Sequence, residues 1–155
     1  MTKGLIYLHG KSGSALEAEH YRPLFPGYDI VGFDYQAQTP WEAKKEFCDF
    51  LDLFAETHKE VYLLASSLGA YFALQSFPGK SIKKAYFVSP IVNMELLIED
   101  LIKHANVTEQ TLREKEIIAT DSGETLSWKY LSWVRAHPVI WDIPTEILFG
   151  ENDHL

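Results

Sequence analysis

Five short apolar runs punctuate the chain. They are Leu5-Ile6-Tyr7-Leu8 ahead of His9-Gly10, residues 28–33 ahead of Asp34, residues 60–65, residues 84–88, and residues 146–149 ahead of Gly150. None is a clean alternation of apolar and polar positions. Runs of this size without alternation read as strands buried on both faces, as in a parallel sheet. The stretches between them carry helical signals. Ser14-Ala15-Leu16-Glu17 has capping-box spacing and predicts a short helix before the second strand. Thr39-Pro40-Trp41-Glu42 offers an N-cap threonine, proline at the first helical position and glutamate three residues after the cap. From there Ala43, Phe47, Phe50, Leu51 and Phe54 fall on one helical stripe, and Ala70-Tyr71-Phe72-Ala73-Leu74 predicts a third helix, ending at Pro78-Gly79. Strand, helix, strand repeated in this way predicts an α/β domain with a parallel sheet.

Segment 91–142 breaks that rhythm. It is far longer than the roughly 12–15 residues a structureless loop occupies in a compact domain. Met94, Leu97, Ile98, Leu101 and Ile102 follow helical spacing, and Leu126, Tyr130, Trp133 and Val134 predict a further helix after Asp121-Ser122-Gly123. The segment reads as a mainly helical lid insertion, the alternative being helices that pad one sheet face.

Composition narrows the class. A chain of 155 residues with 46% apolar and 23% charged positions suits one globular domain spanning 1–155 and excludes disorder. A formal charge of −8 argues against nucleic acid or an anionic membrane surface as partner, since either needs a clustered basic face. The single cysteine, Cys48, excludes an internal disulfide or a multi-cysteine metal site. No apolar run approaches the ~20 residues of a membrane span, and the opening run is too short for the core of a signal peptide. The expectation is a cytoplasmic protein with no cofactor and no metal. The pattern gives no oligomeric state.

Chemistry is concentrated after three of the strands. Ala65-Ser66-Ser67-Leu68-Gly69 lies where the third strand meets the next helix. Small residues two before and two after a nucleophile let strand and helix approach closely. That spacing selects Ser67, because Ser66 would put Leu64 and Leu68 at the crowded positions. His9-Gly10-Lys11-Ser12-Gly13-Ser14 follows the first strand and can turn with exposed backbone N–H groups. Acyl transfer needs such donors where the carbonyl oxygen becomes negative, and here they would be the N–H groups of Lys11 and Leu68. His9 reads as a structural residue under the loop. Gly10-Lys11-Ser12 is no P-loop, for Leu5 stands where that motif needs glycine. After the fifth run, Asp153 is the expected carboxylate partner of a histidine base, with Glu151 as a neighbouring alternative.

In this order the motifs resemble the α/β-hydrolase family, in particular its small bacterial esterase and lipase-like members. The His-Gly-x-x-Gly-Ser loop, the small-x-Ser-x-Gly elbow and Gly150-Glu151-Asn152-Asp153 follow the matching strands, and Ser89-Pro90 precedes the insertion where those enzymes carry a lid. The resemblance implies a doubly wound sheet of order 2-1-3-4-5 with helices on both faces. It also implies Ser67 as nucleophile, Asp153 as acid, Lys11 and Leu68 as oxyanion hole, and His9, Gly10, Ala65 and Gly69 as supporting positions. The implied activity is hydrolysis of a small carboxylic ester through an acyl-enzyme; thioesters and peptides use the same machinery.

In that family the histidine follows one further strand after the acid. Of His9, His20, His58, His104, His137 and His154, none does. The motif around Asp153 looks interrupted, so the triad histidine is expected beyond Leu155 and the chain as given is expected to be nearly inactive. Residual catalysis without one triad member is about 10³–10⁴-fold over water. The alternative is a non-catalytic protein of this fold that binds a ligand or partner.

Overall fold

The structure, a computed structural model, describes residues 3–151. The chain divides into two compact units, one formed by residues up to Val92 together with those from Val139, the other by Asn93–Pro138.

The first unit is built on a five-stranded, all-parallel sheet. Its strands are β1 (Lys3–Leu8), β2 (Tyr28–Phe33), β3 (Glu60–Ser66), β4 (Lys84–Val88) and β7 (Thr145–Leu148), in the spatial order β2-β1-β3-β4-β7. These are the five apolar runs, and β7 is the fifth strand of the expected 2-1-3-4-5 order. Central β1 is buried on both faces, as its unbroken apolar run requires. On one face Leu5 and Tyr7 pack with Ile30, Leu64 and Ala18 of the short helix α1 (Ala18–Tyr21). The other face is covered by α2 (Pro40–Thr57) and α3 (Leu68–Ser76), where Phe47 meets Phe72 and Phe77 with ring centroids 6.1 and 5.8 Å apart. Each fully buried side chain of this size contributes about 1.5–3 kcal/mol.

The capping residues act as their positions predicted. Thr39 accepts a hydrogen bond from the Glu42 N–H, Pro40 opens α2, and Ala43, Phe47, Leu51 and Phe54 form its buried stripe. Phe50, at the margin of that stripe, stacks on Phe33 at 4.0 Å. Because α1 and α3 cover opposite faces, the chain leaves β1 and β3 in opposite directions. Their carboxyl ends therefore lie at the switch in strand order, the position where open α/β sheets take ligands.

The second unit comprises α4 (Met94–His104), α5 (Glu109–Lys115), a hairpin of β5 (Ile117–Ala119) and β6 (Thr125–Ser127), and α6 (Trp128–Ala136). Asn93, Thr108 and Ser127 cap the three helices by accepting from the N–H groups of Leu96, Thr111 and Tyr130. Leu126 is not on the helix with Tyr130, where its spacing put it. It lies in β6 opposite Ile118. Gly123, at φ +87°, turns the chain, and the Thr120 N–H donates to the Glu124 carbonyl at 2.9 Å. The segment is thus helical apart from this hairpin.

Candidate active site

The sequence joins an apolar strand to an apolar helix with only Ser67 between them. That residue takes up the whole reversal of direction: Ser67 has φ 49° and ψ −114°, a conformation L side chains rarely adopt. Such a residue costs on the order of 1–3 kcal/mol and persists only where its surroundings hold it. Here the Ser67 N–H donates to the Val88 carbonyl at 3.1 Å, while the Ser67 carbonyl accepts from the Ile91 N–H at 3.2 Å. Val88 at the end of β4 and Ile91 in the loop after it therefore brace the elbow from both sides.

The small neighbours have a steric reason. A β-carbon at Gly69 would lie 2.4 Å from the His9 carbonyl oxygen and 2.8 Å from that of Leu8, so the first turn of α3 sits directly on the end of β1. Ala65 is fully buried under the elbow. A β-carbon at Gly10 would lie 3.4 Å from Ser67 Cβ, which puts the loop after β1 against the serine. The structure thus brings Ser67, Leu68, Gly69 and Gly10 together at the carboxyl ends of β1 and β3. Ser67 is half-exposed, with no side-chain hydrogen bond among the described residues. The Leu68 N–H opens α3, where the first N–H groups have no acceptor within the helix.

Two aromatic rings and two hydrogen bonds hold the loop base. His9 is buried and stacks on Tyr35, centroids 4.2 Å apart, while the Tyr35 hydroxyl donates to the His9 carbonyl at 2.7 Å. His9 Nδ1 lies 2.7 Å from the Gly10 carbonyl, so it carries the proton and donates. Its Nε2 is buried without a partner among the described residues. The Gly13 N–H closes the turn on the Gly10 carbonyl at 3.2 Å. Lys11 and Ser12 lie in this turn, and Lys11 is exposed. Burial raises the Tyr35 phenol above its ordinary range, with Glu46 adding to the shift. Tyr35 carried no motif signal, for its partner is 26 residues away.

The expected acid, Asp153, lies outside the described residues. Glu151, the alternative, is exposed. Three other histidines are engaged elsewhere. His58 sits at the opposite sheet edge, its Nδ1 donating to the Phe54 carbonyl and its Nε2 2.8 Å from Asp29 Oδ2, packed so tightly that a β-carbon at Gly4 would lie 2.6 Å from its ring. Seven residues of β3 separate that edge from Ser67, about 20 Å. His104 and His137 belong to the second unit, where their Nδ1 atoms donate to the carbonyls of Asp100 and Trp133 at 2.7 Å. His20 is exposed on α1, and His154 lies outside the described residues. Among the described residues no group of His, Cys, Asp and Glu is placed to hold a metal ion. No described helix is long and apolar enough to cross a membrane.

No family model and no curated protein sequence matches the chain. Solved structures do. Est1E from Butyrivibrio proteoclasticus superposes with a TM-score of 0.70 at 14% identity, over 97% of this chain and 67% of its own. The α/β hydrolase domain-containing protein 10 from mouse gives 0.67 at 16% identity, over 95% and 68%. A proline iminopeptidase-related protein from Thermus thermophilus gives 0.60 at 21% identity, over 98% and 73%. The chain has the α/β-hydrolase fold.

Proposed function

We propose that the chain forms the nucleophile-bearing part of a serine hydrolase that cleaves a small carboxylic ester through an acyl-enzyme at Ser67. The single observation that carries this reading is the elbow. A half-exposed serine is held at φ 49° between strand and helix, with a glycine loop pressed against it. Strained residues of this kind cluster at active sites, and this one is braced from β4 and its following loop. In the proposed reaction Ser67 Oγ attacks the acyl carbon, the N–H groups of Lys11 and Leu68 stabilise the oxyanion, and the alcohol leaves. Asp153 orients a histidine supplied from beyond Leu155, which takes the serine proton and returns it to the leaving group.

Thioesters and peptides stand beside esters as substrate classes, since all three are cleaved by attack of a serine on an acyl carbon. One structural neighbour is a proline iminopeptidase-related protein, and the elbow serves any acyl transfer. A cytoplasmic setting belongs to the same proposal. Cys48, the lone thiol, donates to the Ser76 carbonyl at 3.3 Å and is pushed up in pKa by burial, which suits an inert structural thiol. A non-catalytic binding role remains the second reading, favoured by the absence of a histidine hydrogen-bonded to Ser67 among the described residues.

A fluorophosphonate probe with intact-mass detection tests the assignment. The expected result is one adduct on the parent chain, slow in the absence of the histidine and missing in Ser67→Ala. An adduct that survives in Ser67→Ala overturns the choice of nucleophile. Ester turnover that stays absent after a histidine-bearing continuation is joined to the chain favours the binding role.

A further inference from the structure

The loop against Ser67 is anchored at its far end by a carboxylate that the mechanism above does not use. Glu17, in the 3-10 turn Ala15–Glu17, accepts from the Ser14 N–H at 2.8 Å through Oε1. Through Oε2 it accepts from the hydroxyl of Tyr7 at 3.3 Å. Tyr7 is fully buried in β1, so the carboxylate ties the loop to the sheet core and not only to its own turn. The contact with the loop is also steric. A β-carbon at Gly13 would lie 2.0 Å from Glu17 Oε1, so the carboxylate lies flush against Gly13. Gly13 in turn donates to the Gly10 carbonyl, which also accepts from His9 Nδ1. One continuous set of contacts therefore runs from Tyr7 through Glu17, Ser14, Gly13 and Gly10 to Ser67.

We propose that Glu17 is a positioning residue of the oxyanion loop. It fixes the Gly10–Gly13 turn, so that the Lys11 N–H faces the oxygen developing on an acyl carbon at Ser67. The inference rests on the hydrolase reading given above, yet the two can fail separately. A capping box alone would start the helical turn and nothing more. The buried tyrosine and the glycine contact extend the carboxylate's reach to the loop itself.

Phenylboronic acid provides the test, because it mimics the tetrahedral intermediate without needing turnover. Ser67 Oγ forms a bond to boron, its proton passes to solvent, and the boron becomes a tetrahedral anion whose oxygen occupies the oxyanion position. Glu17→Ala is expected to weaken boronate binding about tenfold or more, as displacement of one oxyanion donor should. Glu17→Gln, which keeps one acceptor oxygen, is expected to recover most of that loss, and Tyr7→Phe to fall between. Amide hydrogen exchange at Lys11 is read on the same variants, with an expected acceleration of about tenfold in Glu17→Ala and little change in Glu17→Gln. Boronate binding and Lys11 exchange both unchanged in Glu17→Ala overturn the positioning role. Boronate binding that is equal in parent and Ser67→Ala overturns the hydrolase reading instead, and Lys11 exchange then still decides whether Glu17 orders the loop. If Glu17→Ala does not fold, Glu17→Gln and Tyr7→Phe carry the comparison.

Discussion

At the scale of single residues the elbow sets two glycines against each other. Gly69 faces backbone: a methyl there meets the His9 and Leu8 carbonyl oxygens at 2.4 and 2.8 Å, and neither can yield. Gly69→Ala is expected to lower stability by about 2–3 kcal/mol, the cost of overpacking a site that cannot relax. Gly10 faces the nucleophile at an ordinary contact distance of 3.4 Å. Gly10→Ala should change the urea midpoint little while slowing acylation of Ser67, because the added methyl occupies space at the reacting atom. Urea denaturation and fluorophosphonate labelling of the two variants separate these outcomes; equal loss of stability in both would contradict the geometry. The buried tyrosines make a second residue-scale case. Burial, reinforced by Glu17, raises the Tyr7 phenol far above its ordinary value of 10.0, and burial with Glu46 does the same for Tyr35. A folded-state pKa above the unfolded one favours the neutral phenol in the fold. Its stabilisation is complete below pH 10 and is lost as pH climbs toward the folded-state value. Stability should therefore decline above about pH 10, with ionisation of Tyr7 and Tyr35 at 295 nm coinciding with unfolding. Tyr35→Phe should flatten that decline.

At the scale of elements, one side chain links the three helices of the second unit around their apolar core of Ile98, Ile102, Leu112 and Leu131. Arg135 of α6 donates from Nε to Glu95 at 2.7 Å, from Nη2 to Glu99 at 3.3 Å and from Nη1 to Glu109 at 2.6 Å, joining α6 to α4 and α5. Single exposed pairs contribute little, but one guanidinium serving three carboxylates is a network. Arg135→Ala is expected to cost about 1–2 kcal/mol and leave three acids facing one another. Arg135→Lys should restore only part, since an ammonium lacks the planar fork. Amide exchange in α4 and α5 measures both. None of this was legible in the chain, because which acids an arginine reaches 36–40 residues away is decided by packing. The hairpin escaped for another reason, because three-residue strands are too short to show a period of two. What could be read was local. The strands showed as unbroken apolar runs, α2 through Thr39-Pro40, and the elbow through small residues at fixed offsets from Ser67. Ser14 and Glu17 were visible as a capping box that predicts a short helix, yet the reach to Tyr7 and Gly13 depends on which face of β1 the tyrosine occupies.

At the scale of the whole molecule, β7 is an edge strand among the described residues, with side chains exposed on both faces. β7 pairs with β4 on one side and with nothing on the other among the described residues. Ile147 is 53% exposed, Leu148 69% and Phe149 65%, although successive side chains on a strand point to opposite faces. Natural edge strands are protected by lysine, proline or a bulge. The one charge of β7, Glu146, is already paired with Lys84. An apolar, neutral edge on a chain of net charge −8 sets attraction at one strand against repulsion everywhere else. Salt should decide the balance, since at 0.1 M the screening length is only about 10 Å. The 155-residue chain is therefore expected to self-associate in a concentration-dependent way, more strongly at high salt than at low. Leu148→Lys places a charge on the edge where the side chain contributes little to the core. It should leave the unfolding free energy within about 0.5 kcal/mol of the parent while returning the chain to a monomer in sedimentation velocity. Association that persists unchanged in Leu148→Lys would move the contact to another surface. Association that weakens as salt is raised would mean that charge pairing, and not the apolar edge, drives it.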